Sequence, residues 1–146
     1  MREEIQDGGK LTNGRESEND GPNFVIVPTM TPREVVALLL GRFPAMRDLV
    51  CPDDDYYNLP TCVYDSFTTE VVRRIDDRDL FDSVVRFIDD IAESKDPLLS
   101  NVLYVCILEG IAADADVAQR LSRAVGEPAR KLLRDVERSF YHRMNT

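Results

Sequence analysis

Apolar residues recur with the period of an α-helix from residue 31 almost to the end of the chain. Thr31, Pro32 and Glu34 form a capping box with proline at the first helical position, which marks a helix start. Val35, Leu38, Leu39 and Phe43 follow on one face, and Pro44 stops the run. A short helical turn is predicted over residues 45–50 and a loop over 51–60. A third helix is predicted over 61–77, where Val63, Phe67, Val71 and Ile75 make one apolar stripe. Asp79 is the expected cap of a fourth helix, with Phe81, Val84, Val85, Ile88 and Ile91 facing inward. Asp96 and Pro97 open a fifth, apolar nearly all round from Leu98 to Ile111, as befits a central helix. Asp116 is the expected cap of a sixth, which buries Val117, Leu121, Ala124 and Val125 and ends at Gly126. Glu127 and Pro128 begin the last, with Ala129, Leu132, Leu133, Val136 and Phe140 inward.

The connections are short, so consecutive helices should pack antiparallel. The expected fold is all-α, an irregular antiparallel bundle or a short stack of helix pairs with about six or seven helices. No firm internal repeat is present. Residues 1–23 hold few apolar side chains and several glycines among mixed charges, so they are expected to form a disordered acidic tail. Phe24-Val25-Ile26-Val27-Pro28 is apolar and stopped by proline, and an extended arm over 24–30 is expected to lie on the helices. A length of 146 residues suits one domain, here 24–146.

Composition adds exclusions. No apolar run approaches the roughly 18 residues of a membrane span, and the first residues are polar, so neither a transmembrane helix nor a signal peptide is expected. One histidine and no tryptophan leave little for histidine catalysis or a multi-histidine metal site. Cys51, Cys62 and Cys106 lack the paired spacing of a zinc site. The interval between Cys51 and Cys62 permits a bridge, but reduced thiols in a cytoplasmic protein are the simpler expectation. Cys106 lies in an apolar run and reads as a small buried residue.

The net charge is −9, and its distribution matters more than its size. Residues 44–116 hold 17 acids and 6 bases, whereas 117–146 hold 3 acids and 7 bases. Such a middle repels nucleic-acid phosphates and anionic membranes and attracts a basic protein. It also keeps a small domain soluble, which is the plainer explanation.

Several clusters carry candidate chemistry. Asp53, Asp54 and Asp55 repel one another and should project into solvent, beside Tyr56 and Tyr57, a residue type common at binding hot spots. The alternative is a solvated loop with its tyrosines folded back on the core. An EF-hand fails, because Asn58 and Tyr64 stand where glycine and glutamate are required. Asp76 and Asp77 are read at the disfavoured C-terminal end of the third helix, and Asp89, Asp90 and Glu93 on the outer side of the fourth. Glu109 ends the buried stretch or pairs with Arg73 or Arg74. Gly110 costs helix propensity and suggests close approach of a neighbouring helix. Arg130, Arg134 and Arg138 make a basic stripe without interleaved aromatics, so it reads as a solvated face or an intramolecular complement to the acidic middle. His142, near a helix C-terminus, suits the dipole. No phosphate loop, nucleophile elbow or zinc-protease motif is present, so no catalytic residue, metal ligand or cofactor is expected.

Four segments resemble a group of small, acidic, helical bacterial proteins of unknown function, some of them immunity proteins of polymorphic toxin systems. They are residues 38–44 (Leu-Leu-Leu-Gly-Arg-Phe-Pro) with the acidic loop after them, and 80–90 (Leu-Phe-Asp-Ser-Val-Val-Arg-Phe-Ile-Asp-Asp). The others are 105–111 (Val-Cys-Ile-Leu-Glu-Gly-Ile) and 126–133 (Gly-Glu-Pro-Ala-Arg-Lys-Leu-Leu). These are helix-packing patterns, and the resemblance supplies no catalytic residue. It implies a cytoplasmic, non-enzymatic binding protein, an immunity- or antitoxin-like partner of a basic toxin domain. A helical scaffold or adaptor acting as a homodimer, and a DNA-mimic inhibitor, are the alternatives.

Overall fold

The computed structural model describes residues 29–144, with side chains through residue 139. Residues 1–28, which hold the expected tail and most of the expected arm, lie outside the described residues, as does the side chain of His142. Among the described residues the protein is all-α, with no strand.

Helix α1 (Pro32–Arg42) begins with the expected capping box: the Thr31 hydroxyl accepts from the Glu34 N–H, and Glu34 reaches back to the Thr31 N–H. Pro44 ends it, and a 3₁₀ turn (Pro44–Met46) runs into a single helical turn, α2 (Arg47–Val50). The stretch expected to be loop holds a second 3₁₀ turn, Asp54–Asn58, capped by Asp53. Helix α3 (Pro60–Arg73) stops four residues before the expected end, and α4 (Arg78–Ala92) follows. Asp77, not Asp79, caps α4; its backbone is extended and its carboxylate accepts from the Leu80 N–H at 3.1 Å.

The central helix runs from Pro97 to Ala112 but is not uniform. It starts as α5 (Pro97–Asn101), winds as a π-helix over Val102–Leu108 and finishes as α6 (Glu109–Ala112). At the end of the π segment the Glu109 N–H donates to the Tyr104 carbonyl, five residues back. The run is also less enclosed than expected, since Val105 is 45% exposed. Asp96 caps α5, as expected, with one oxygen accepting from the Leu99 N–H at 3.0 Å. Its other oxygen accepts from the Met30 N–H at 2.6 Å, so one buried carboxylate ties the segment before α1 to the central helix. Helix α7 (Ala115–Ala124) is capped by Asp114 rather than Asp116, and Ala124 is exposed rather than inward. Helix α8 (Glu127–Met144) closes the chain.

The core is a single cluster of buried residues from α1 to α8. At its heart Phe43, Phe67 and Phe87, from the end of α1, from α3 and from α4, meet with ring centroids 4.8 to 6.1 Å apart. Tyr64 is fully buried beside Phe87 and donates its hydroxyl to the Val35 carbonyl at 2.8 Å, fastening α3 to α1. Burial pushes that phenol well above the ordinary tyrosine range. Gly110 answers the question its presence raises: a Cβ there would stand 2.7 Å from Cγ2 of Thr68, so α6 and α3 touch where only glycine fits.

Candidate partner-binding surface

The acidic turn is built by its own side chains. Asp53 caps the 3₁₀ turn, its carboxylate accepting from the Asp55 N–H at 3.0 Å, and Asp53, Asp54 and Asp55 all face solvent. Tyr56 and Tyr57 are half-buried and pack against the core. The Arg33 guanidinium lies 4.9 Å from the centre of the Tyr57 ring and that of Arg47 lies 5.9 Å away, both within cation–π range. The triad of carboxylates therefore stands beside two arginines. Neither arginine was identified from sequence, because Arg33 is separated from Tyr57 by a whole helix. Cys51 is buried at the base of the turn; burial pushes its thiol up, Asp53 and Asp54 add to the rise, and Arg47 and Arg33 oppose it.

The remaining candidates have structural occupations. Asp77 is the α4 cap just described. Asp76 accepts from Arg120 of α7 at 2.9 Å, and Arg120 also reaches Asp116 at 3.2 Å. These contacts hold the Arg120 guanidinium firmly protonated. Asp90 pairs with Arg42, the last residue of α1, at 3.0 Å. Asp89 accepts from the Gly126 N–H at 2.8 Å and so pins the turn between α7 and α8 to α4. Among the described residues no hydrogen bond or ion pair engages the side chains of Asp54, Asp55 or Glu93, all exposed.

The acids are spread along the fold. Asp76 and Asp77 precede α4 and Asp89 and Asp90 lie near its far end, roughly 18 Å away at 1.5 Å per residue. The 53–57 turn and Asp90 both adjoin α1, but toward opposite ends, beside Arg33 and Arg42 respectively. Arginines therefore stand among these acids at each place.

The basic stripe on α8 is also partly committed. Arg130 donates to the Ser122 and Val125 carbonyls at 2.8 and 2.6 Å and to Glu127 at 2.7 Å, which satisfies the C-terminal end of α7. Arg138 pairs with Asp135, and Arg134 lies 3.8 Å from Glu127. Arg73 and Arg74 both bridge to Glu70, and this holds the Glu70 carboxyl below its usual range.

A pocket of about 300 Å³ lies over the α3–α6 contact and is lined by Asp65, Thr68 and Cys106 among others. Cys106 is 2% exposed, and its thiol is pushed up to about 12, chiefly by burial and then by Asp65. A thiol so shifted stays protonated at neutral pH and is a poor nucleophile. All three cysteines are free, with Cys62 exposed. No helix among the described residues is long and apolar enough to cross a membrane.

No curated protein and no solved structure matches the chain. A family model does match residues 36–143, which run from the middle of α1 to the last turn of α8 and make up about three quarters of the chain. The chain therefore belongs to the family described as Domain of unknown function (DUF7674).

Proposed function

We propose that this protein is a non-enzymatic binding module that acts as an immunity- or antitoxin-like partner of a basic toxin domain in a bacterial cytoplasm. The observation that carries the reading is the exposed Asp53-Asp54-Asp55 turn, within a segment of 17 acids and 6 bases over residues 44–116. Three adjacent carboxylates facing solvent raise the encounter rate with a basic surface, and among the described residues those of Asp54 and Asp55 make no hydrogen bond or ion pair within the fold. Their bases are rigid: Asp53 closes the turn, and Tyr56 and Tyr57 anchor it to the core. A rigid charged turn loses little conformational freedom on binding. Of the candidate acids, Asp54, Asp55 and Glu93 are the most open to a partner, whereas Asp76, Asp77, Asp89 and Asp90 contribute through the field more than by direct contact.

The test is kinetic. Replacing Asp53, Asp54 and Asp55 together with lysine should slow association with the basic partner by on the order of tenfold or more at low salt, and flatten its dependence on ionic strength. It should also weaken protection in a toxicity assay. Unchanged association and full protection by the triple variant would move the interface elsewhere.

A further inference from the structure

A second surface feature has the opposite character. A pocket of about 440 Å³ opens between the α3–α4 junction and α7. Its size falls in the roughly 300–1,000 Å³ range of small-molecule sites. Ile75 and Phe81, half-buried against the core, line it together with three arginines, Arg78, Arg120 and Arg123. Asp76 and Asp82 also line it, so its lining is net cationic in a chain of net charge −9.

The three arginines differ in their commitments. Arg120 is held by Asp76 and Asp116, which also draws the Asp76 charge toward Arg120. Arg78 and Arg123 are exposed, and among the described residues no ion pair reaches either. Arg78 is the first residue of α4, where the helix dipole disfavours a cation. An anion bound there would turn that unfavourable placement into a favourable one. A guanidinium fork matches a carboxylate or phosphate with two parallel hydrogen bonds, and the apolar surface beside it suits a flat or aliphatic body.

We propose that this pocket binds a small organic anion, its carboxylate or phosphate held by Arg78 and Arg123 and its apolar part resting on Ile75 and Phe81. Arg120 is a positioning residue, fixed by its two carboxylates at the pocket wall. The proposal is independent of the acidic turn and of any protein partner.

Nitrogen-15 correlation spectra of the full chain, titrated with 3-phenylpropionate, with phenyl phosphate and with neutral 3-phenylpropanol, test it. One or both anions should give saturable shifts at the backbone amides of residues 75–82 and 120–123, and the tighter anion identifies the head group. The alcohol should bind about tenfold or more weakly, and Arg78→Gln and Arg123→Gln should each weaken the anion by about fivefold to tenfold. Both variants should keep the wild-type spectrum elsewhere, and Arg138→Gln on α8 should bind as wild type does. The proposal is overturned by the absence of saturable shifts at these amides with either anion. It is equally overturned if the alcohol binds as tightly as the acids, or if the double arginine variant binds the anion unchanged.

Discussion

Gly110 shows how a single residue can be decided by its neighbour rather than by its own helix. In isolation, alanine at this position would gain about 1 kcal/mol of helix propensity. In the fold its methyl group would stand 2.7 Å from Cγ2 of Thr68, a buried side chain fixed by its hydroxyl bond to the Tyr64 carbonyl. Overpacking of this kind costs roughly 1–3 kcal/mol, which cancels or exceeds that gain, so Gly110→Ala should destabilise by up to about 2 kcal/mol in urea unfolding instead of stabilising. In a Thr68→Ser background the obstructing methyl is gone, and the same change should become neutral or stabilising. The thiols give a second prediction at this scale. Cys62 should react with iodoacetamide in the native protein, while Cys51 and Cys106 should react only on unfolding. The Cys106 thiol is raised from 9.0 to about 12 in the fold, so between those values the unfolded chain ionises it and the folded chain does not. Its contribution to stability is therefore complete below pH 9 and is lost as pH rises toward 12, by up to about 1.4 kcal/mol per pH unit. Cys106→Ala should flatten the alkaline fall in stability, though not abolish it, because Cys51 and Tyr64 are shifted the same way.

Among the elements, starts where proline follows a capping threonine or aspartate were legible and starts marked only by aspartate were not. Thr31-Pro32 and Asp96-Pro97 begin helices where the sequence says they should, because proline at the first position has one meaning there. At the other two junctions several aspartates compete. Asp76, Asp77 and Asp79 share one and Asp114 and Asp116 the other, and the cap is whichever holds an extended backbone with its carboxylate over the next N–H groups. Each misplacement was by two residues. Asp77→Ala should accordingly cost about 1 kcal/mol, against a few tenths for Asp79→Ala, as read by chemical denaturation. Asp96→Ala should cost more, about 2 kcal/mol or above, because it strips partners from two N–H groups at a buried site. The π winding of 102–108 left no trace in the sequence. A segment apolar nearly all round has no stripe whose drift could separate one winding from another.

Across the whole molecule, the charge imbalance was readable and its arrangement was not. The bridges to the acidic middle join residues far apart in sequence, Arg42 to Asp90 and Arg120 to Asp76, and no local spacing rule anticipates them. Asp53–Asp55 stand out in that acidic segment as three adjacent exposed carboxylates, with Tyr56 and Tyr57 packed against the core. On this account the turn recruits a basic protein by long-range attraction, and the rest of the fold holds the turn rigid. The most direct test is affinity capture from a lysate of the protein's own source, at low and high salt, with the wild type and the Asp53→Lys, Asp54→Lys, Asp55→Lys triple variant as parallel baits. The account predicts one stoichiometric basic protein on the wild-type bait at low salt, depleted at high salt and on the variant. Recovery of the same proteins on both baits regardless of salt, or of the bait alone throughout, would contradict it.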